Sequence, residues 1–298
     1  MQWLAEAMRS LLAPMREADV VDVYLSPLFW APLLAVLVLE YARPARGGQK
    51  VFSDGLFQDG VYFVLSGVFR IAVLAAYVGF LRAVYDRHLS FLTLHSLDSW
   101  PLWSRVLLAV LVVDLLGWLH HLVRHKVQTL WHFHAVHHAQ REMNMLTDVR
   151  VHPLDRIACQ TIQFVPLFMV DASFPVITSW VLFHQAWTKF CHANVRLGCG
   201  PLRYLLVTPQ SHRIHHSFAE RHTDRNFGVV FSIWDRMFGT HYEAVDEYPE
   251  CGILDPTFPM ENGRTPAALL RSTWAQLVYP FRQFGRPPAF GGARTNDA

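Results

Sequence analysis

The amino-acid sequence predicts an all-α integral membrane protein with about three full membrane spans, a re-entrant or broken fourth segment and a cytosolic, helical, histidine-rich cap. Two observations lead to this fold class. First, 52% of the 298 residues are hydrophobic and only 17% are charged, and the apolar residues are gathered into long stretches. Second, the polar segments that follow these stretches carry histidines at helical spacing.

Three apolar stretches are predicted to cross the membrane, because a spanning helix needs roughly 20 mostly apolar residues. They are residues 24–39, 61–81 and 101–119, of which the last two carry one or two charged residues. A fourth stretch, 160–187, contains Pro166 and Pro175. Proline interrupts helical hydrogen bonding, so this stretch is predicted to be a broken span or a re-entrant hairpin. The alternative is that all four stretches are buried core helices of a soluble protein.

The domain organisation follows from the same composition. One membrane domain is predicted over residues 24–245, preceded by an amphipathic lead-in, 1–23, that lies on the membrane. Charged residues are scattered through this lead-in, so no cleavable signal peptide is expected. Residues 246–298 are predicted to be a C-terminal extension whose end is disordered. A net charge of +2 without a basic stripe excludes nucleic acid as a partner.

Three histidine clusters are the strongest functional signal in the chain. Residues three and four apart share one face of a helix, so each cluster can direct two or three imidazoles at one point. Neutral imidazole is a ligand for iron, zinc and copper, and these imidazoles are more than one tetrahedral metal needs. The clusters therefore predict two metals close together. Their members are His121 and His125; His134, His137 and His138; and His212, His215 and His216.

The motifs between residues 110 and 242 are similar, in order and separation, to those of the fatty acid hydroxylase superfamily, which includes sterol desaturases and C4-methyl oxidases. The first motif departs slightly from the family pattern, because His120 and Leu122 replace the usual residues beside the first histidine. The motifs are DLLGWLHHLVRH at 114–125, LWHFHAVHH at 130–138, NMLTDVRVHP at 144–153, FCHANV at 190–195, TPQSHRIHHS at 208–217, and NFG at 226–228 followed by WDRMFGT at 234–240.

The resemblance implies a non-haem site of two iron ions (Fe2+/Fe3+), held by histidines at the cytosolic face of a helical membrane domain. Carried over position by position, it makes the clustered histidines metal ligands and adds His192. His152 matches a recurrent position and is a further candidate ligand whose role stays open. His184 precedes His192 by eight residues and lies about 80° from it around a helix, so it is interpreted as a non-ligand.

The predicted activity is that of an O2-dependent oxidoreductase, a monooxygenase that hydroxylates or desaturates an aliphatic lipid or sterol-like substrate. All-nitrogen ligation suits a redox metal, and the surrounding apolar residues can exclude water. The chain has no dinucleotide fingerprint and no C-x-x-C among its four cysteines, so an external donor must supply electrons. A ferredoxin, a cytochrome b5-like protein or a membrane reductase could dock near Arg213, Arg221 and Arg225. The substrate and the choice between hydroxylation and desaturation stay open.

Polar residues near the clusters are predicted to orient the imidazoles through hydrogen bonds. The candidates are Asp114, Asn194, Asp224 and Asn226. Two other functions are compatible with a histidine-rich membrane protein: a non-catalytic, zinc-binding membrane protein and a cytochrome with several haems. A metalloprotease is poorly supported because the chain has no H-E-x-x-H motif. The identity of the bound metal separates these alternatives.

Basic residues predict that the site faces the cytoplasm, because they follow the first, third and fourth apolar segments. Cysteines introduced at Ser96 and at Ser217 are therefore expected to react with a membrane-impermeant maleimide from opposite sides of the membrane. Labelling from the same side would contradict this topology. In that case residues 101–119 would be the first predicted span to be rejected, because the charged residue Asp114 interrupts them.

Overall fold

The computed structural model of the chain describes residues 27–69, 75–172, 174–243 and 246–284. Over these ranges the regular structure is helical, and β pairing is limited to isolated bridges. The prediction of an all-α fold is therefore confirmed. The predicted amphipathic lead-in, 1–23, and the end of the chain, 285–298, lie outside the described residues. The domain boundaries stay predictions.

Several helices begin at recognisable caps. Thr208 and Thr265 each accept a hydrogen bond from the backbone N–H three residues later, and a proline occupies the first helical position after each of them. The α-helices of the described residues are α1 (Pro27–Ala42), α2 (Asp54–Phe69), α3 (Ala75–Val84), α4 (Leu102–Lys126), α5 (Gln128–His138), α6 (Pro153–Met169), α7 (Phe174–His192), α8 (Pro209–His215), α9 (Ile233–Met237) and α10 (Pro266–Gln283).

Helix α4 is the one helix of the described ranges that is long and apolar enough to cross a membrane. It has 25 residues and is about 38 Å long at 1.5 Å per residue. Its first part matches the stretch predicted at 101–119, but it continues without a break, so that His121 and His125 lie on the same helix. Helix α1 is apolar but shorter. One membrane span is therefore supported, and the predicted total of three spans stays a prediction.

The fourth apolar stretch forms two helices, α6 and α7, although neither proline makes the break between them. Pro166 lies inside α6. Pro175 lies in the first turn of α7, where the backbone N–H has no helical partner and proline costs little. The chain leaves α6 at Asp171, whose backbone is left-handed with a φ of 48°. The amides of Asp171 and Ala172 bond back to carbonyl groups of the last turn and so end the helix.

Two of the three apolar cores in the described residues hold helices around the histidine-bearing segments. One core lies between α4, α6 and α7 and buries Val113 and Leu167. The other lies between α2, α5 and α10 and buries Val136 and Tyr279. Because α10 packs on both α2 and α5, the described helix of the predicted C-terminal extension forms part of the folded core.

The fully buried Arg150 ties α2 to the C-terminal segment. Its Nε donates to Asp59 Oδ1 at 2.5 Å, and its Nη1 donates to Glu261 Oε2 at 3.1 Å. The second carboxylate oxygen of Asp59 accepts hydrogen bonds from the side-chain amides of Gln140 and Asn144. One guanidinium therefore bridges two carboxylates, of which that of Asp59 is fully buried. Removal of such a cation leaves buried charge without compensation.

Arg150→Met is predicted to lower the free energy of unfolding by about 3–5 kcal/mol, the cost of removing one partner from a buried ion pair. Arg264→Met is the matched control, because Arg264 pairs with Asp54 at the exposed surface, and surface pairs contribute little. Thermal unfolding of the purified variants in detergent, followed by circular dichroism, compares their stabilities. Equal stability of the two variants would show that the buried network is not required for the fold.

Candidate metal centre

Histidines from four helices meet in the interior as two adjacent groups. Within each group the candidate ligand atoms all lie within 4.8 Å of one another. The first histidine group contains His121, His125, His134, His138 and His215, and the second histidine group contains His137, His192, His212 and His216. The structure thus brings together all the histidines that spacing singled out, and with them His192, which the family resemblance implied.

Helical spacing explains how one sequence cluster contributes to both groups. His134 and His138, four residues apart on α5, lie in the first group. His137 lies in the second group, because neighbouring residues of a helix are turned by about 100° from each other. At the end of α8 the neighbours His215 and His216 divide in the same way. The rings of His138 and His216 are stacked with 4.2 Å between centroids, so the two groups touch.

Backbone carbonyl groups orient two rings of the first group. Nδ1 of His121 donates to Phe227 O at 2.9 Å, and Nδ1 of His215 donates to Arg225 O at 2.8 Å. These carbonyls flank Asn226, whose backbone is left-handed with a φ of 58°. A ring that donates through Nδ1 presents the lone pair of Nε2. In both rings Nε2 is buried without a hydrogen-bond partner in the described part of the chain, as expected of a metal ligand.

In the second group the Nε2 atoms face one another. Nε2 of His192 lies 3.0 Å from Nε2 of His137 and 2.9 Å from Nε2 of His212. Nδ1 of His192 donates to Thr188 O at 2.6 Å, so its Nε2 is the lone-pair atom. Converging imidazole nitrogens are a donor set for iron, copper or zinc. Both groups therefore fit a nitrogen-ligated transition metal.

Asp155 orients the first group, and sequence analysis missed it. Its Oδ2 lies 3.2 Å from Nδ1 of His134 and 2.9 Å from Nη1 of Arg124. A carboxylate that accepts the Nδ1 proton fixes the tautomer of the ring and leaves Nε2 for a metal. Asp155 does not lie three or four residues from any clustered histidine in the sequence, so helical spacing does not reveal it. Its one sequence signal is its place in the first turn of the helix that begins at Pro153.

Burial keeps the clustered imidazoles neutral. It lowers the pKa of His134, His137, His138 and His216 well below the ordinary histidine value. It lowers the pKa of His215 to about 3. Because a metal binds the neutral ring through its lone pair, protons do not compete for these nitrogens near pH 7.

Two aspartates clamp the segment 227–231 onto α4. Asp114 accepts from Nε1 of Trp234 at 2.9 Å, and Asp235 accepts from Nε1 of Trp118 at 2.9 Å. Each carboxylate also accepts two backbone N–H bonds from this segment. The segment supplies one of the carbonyls that orient the first group. Asp114 therefore acts on the imidazoles through the backbone and touches no ring nitrogen.

The other three residues predicted to orient the rings also form their hydrogen bonds or ion pairs with groups other than the imidazoles. Asn194 accepts from Nη2 of Arg213 at 2.8 Å. Asp224 pairs with Lys126. The side chain of Asn226 bonds to backbone groups on both sides of its loop. None of the three contacts an imidazole nitrogen in the structure, so the expected direct contacts are replaced by those of Asp155 and of backbone carbonyls.

His152 and His184 lie outside both groups. Nδ1 of His152 accepts from the Leu154 amide at the start of α6, and its Nε2 donates to Leu277 O at 3.1 Å. His152 therefore joins α6 to α10, and the structure does not bring this candidate ligand to either group. Nε2 of His184 lies 3.4 Å from Nε2 of Gln163, which agrees with its interpretation as a non-ligand.

A cavity of about 90 Å³ reaches both histidine groups. One face of each of the helices α4, α6 and α7 forms its wall. His121 of the first group and His192 of the second lie at one end, and the wall continues along Gly117, Cys159 and Trp180. An aliphatic chain in this cavity would lie along α4 with one end at the histidines.

Comparison with known proteins identifies related chains. Residues 106–240 match the family model described as fatty acid hydroxylase. The chain is 29% identical over 196 residues to an ornithine lipid hydroxylase of Rhizobium tropici, a match that covers 65% of this chain and 55% of the relative. It is 32% identical over 168 residues to the alkylglycerol monooxygenase of Homo sapiens, a match that covers 56% of this chain and 37% of the relative. It is 27% identical over 131 residues to methylsterol monooxygenase 1 of Rattus norvegicus, a match that covers 43% of this chain and 44% of the relative.

The matched segments thus span about half or less of the lengths of these relatives. No solved structure shows a significant match to the chain.

Asp155→Ala is predicted to weaken metal retention by the first histidine group, because loss of such a hydrogen-bond partner costs about 10–100-fold in metal affinity. Asp224→Asn is the matched control, since Asp224 pairs with Lys126 away from the rings. Mass-spectrometric metal analysis after dialysis against graded chelator concentrations compares the two proteins. If both variants retained metal equally well, the role assigned to Asp155 would be wrong.

Proposed function

We propose that this chain belongs to the fatty acid hydroxylase superfamily, whose family model residues 106–240 match, and that it is a membrane-bound, O2-dependent oxidoreductase. In this proposal it is a non-haem di-iron monooxygenase that hydroxylates, or desaturates, an aliphatic lipid or sterol-like substrate. The observation that carries the proposal is the convergence of two histidine groups at one cavity. The names of the relatives, which are lipid and sterol oxygenases, support a lipid substrate.

Two metals are proposed because the imidazoles divide into two sets, each large enough to hold one ion. Iron is preferred to zinc because a catalytic zinc site commonly uses three protein ligands and one open position, fewer than either set offers. Bound iron supplies the oxidising power that cleavage of an unactivated C–H bond by O2 requires. In hydroxylation, one C–H bond, one O2, two electrons and two protons become one C–OH group and one water molecule.

In this proposal the residues of the chain orient the imidazole rings, shield the site from water and bind the aliphatic substrate. The carbonyls of Phe227 and Arg225 and the carboxylate of Asp155 hold rings of the first group with Nε2 toward the centre. The helices α4, α6 and α7 enclose the space beside the rings and exclude water from it, which protects a reactive site from side reactions. An aliphatic chain between these helices can bring one carbon to the histidines.

The electrons are proposed to come from an external donor that docks at the cytoplasmic face, where the basic bias of the sequence places the site. Arg213, one of the expected docking residues, is buried and donates to Gln49 and Asn194. The proposed contact surface is therefore narrowed to the neighbourhood of Arg221, which is exposed, and Arg225.

A non-catalytic, zinc-binding membrane protein is the second candidate function. It would use the same nitrogen donors, because zinc also binds imidazole. The cavity beside both histidine groups favours the oxygenase, since a structural metal site is closed and needs no adjoining space.

The test combines metal analysis with product analysis. The full chain is produced in iron-replete membranes, purified and supplied with a reductase system, 18O2 and candidate lipids: a 1-O-alkylglycerol, an ornithine-containing lipid, a fatty acid and a sterol. About two iron ions per chain with labelled hydroxyl product, or with a desaturated product, support the proposal. One metal per chain, or zinc without product, would contradict it.

Adjacent histidines are predicted to hold different metals. His216→Ala leaves three imidazoles in the second group, whereas His215→Ala leaves four in the first. Both variants should lose activity, but His216→Ala should lose about one metal per chain at a lower chelator concentration. His95→Ala is the control, because this exposed ring pairs with Asp98 far from both groups. Simultaneous loss of both metals from either variant would contradict the division into two groups.

A further inference from the structure

One residue on α6 and one on α7 lie at the same distance, measured along their helices, from the histidine groups. On α7, His184 lies eight residues before His192, a candidate ligand. On α6, Gln163 lies eight residues beyond Asp155, which contacts the first group. Eight helical residues rise about 12 Å. Because Gln163 and His184 also contact each other at 3.4 Å and both line the cavity, its far end begins at this pair, about two helical turns from the histidine groups, and continues one turn further to Trp180.

The far end of the cavity contains hydrogen-bonding groups that the protein does not satisfy. Trp180, one turn before His184, is only 7% exposed, and its indole N–H is buried without a hydrogen-bond partner in the described part of the chain. Both hydrogen bonds of Gln163 use its amide nitrogen, one with Nε2 of His184 and one with Cys159 Sγ. In the described part of the chain no hydrogen bond uses the amide oxygen of Gln163, so this oxygen can accept one from a ligand. A buried polar group without a partner is costly.

The charge at this depth of the cavity favours a neutral ligand, because the lining arginines, Arg124 and Arg156, lie nearer the histidine groups. Asp114 lines the cavity seven residues from His121 and so lies at a similar depth. Its carboxylate accepts three hydrogen bonds from the segment 227–231 and Trp234 and would repel an anionic group. Neither Gln163 nor Trp180 carries a charge. An anionic headgroup would therefore be less favourable here than a hydroxyl, ether or ester oxygen.

We infer that Gln163, His184 and Trp180 form a subsite that recognises a neutral, oxygen-bearing group of the substrate, about 12–18 Å from the carbon that reacts. The inference rests on the proposed function, because the histidine groups are taken as the place of reaction. The indole N–H of Trp180 donates to the oxygen of the substrate, and a substrate hydroxyl donates to the amide oxygen of Gln163. A plain hydrocarbon leaves both groups unpaired, so the subsite selects oxygen-bearing lipids over alkanes.

Photocrosslinking tests this subsite without requiring turnover. The probe is a 1-O-hexadecylglycerol analogue that carries a diazirine beside the ether oxygen, added to the full chain in nanodiscs. Label is expected in peptides of α6 and α7 that contain Gln163 or Trp180. In the variant Gln163→Leu/Trp180→Phe the yield should fall roughly tenfold, as expected for the loss of two neutral hydrogen bonds.

The control variant removes the same chemical groups from the same two helices. Gln160→Leu/Trp187→Phe changes a glutamine of α6 and a tryptophan of α7 that do not line the cavity, and it should keep the labelling of the unaltered chain. Trp180→Phe alone, which keeps an aromatic ring and removes the N–H, is the second variant if the double variant does not fold. A diazirine-bearing alkane of equal chain length should label the unaltered chain weakly.

Equal labelling of the two double variants, label confined to peptides outside α6 and α7, or equal labelling by the ether and alkane probes would each overturn the subsite. Turnover is a separate readout. Labelling at α6 and α7 by a protein that forms no product would contradict the oxygenase and support the subsite as a lipid site. Product formation without this labelling would contradict the subsite alone.

Discussion

The desolvation of imidazole is the constraint on which the rest of this structure depends. A neutral imidazole taken out of water has one N–H and one lone pair to satisfy. In several rings the N–H is bonded to a backbone carbonyl or to Asp155, and the remaining nitrogen is turned toward other histidines. The lone pairs that converge in this way stay unsatisfied within the protein, and a metal ion is the partner that satisfies several at once. The clamp of Asp114 and Asp235 follows from the same constraint, because a carbonyl can orient a ring only if its own segment is held in place.

The two-group arrangement follows from the geometry of a helix. Neighbouring positions such as His137 and His138 point about 100° apart, so a single H-x-x-H-H cluster supplies ligands to two sites. Two such clusters facing each other generate two sites that share a wall, as the stacked rings of His138 and His216 show. The distance between the groups is therefore set by the packing of the helices that carry them.

The histidine groups could be predicted from the sequence because helical periodicity is local. Their orienting partners could not, since a backbone carbonyl such as Phe227 O leaves no trace in residue type and is brought to His121 from more than 100 positions away in the chain. The apolar stretch predicted at 101–119 ends before α4 does for a different reason. Hydropathy falls where the histidines begin, but helical hydrogen bonding continues to Lys126. In the fourth apolar stretch the prolines pointed to a hairpin, yet the break lies at Asp171, because proline is tolerated in a first helical turn.

Helix α4 joins an apolar, membrane-length segment to the candidate metal centre without a break. The distance of a point in the cavity from the histidines can therefore be measured by counting residues along the helix, which rises about 1.5 Å for each residue. A centre able to cleave an unactivated C–H bond has little intrinsic preference among the methylenes of an aliphatic chain. Which carbon reacts must then depend on where the chain is held and how far it can advance. Gly117, one turn from His121, is where α4 leaves room for this advance, because a Cβ added there would meet only Val229, at 3.5 Å. In the proposed oxygenase, the position of reaction is therefore a property of helix spacing and side-chain volume.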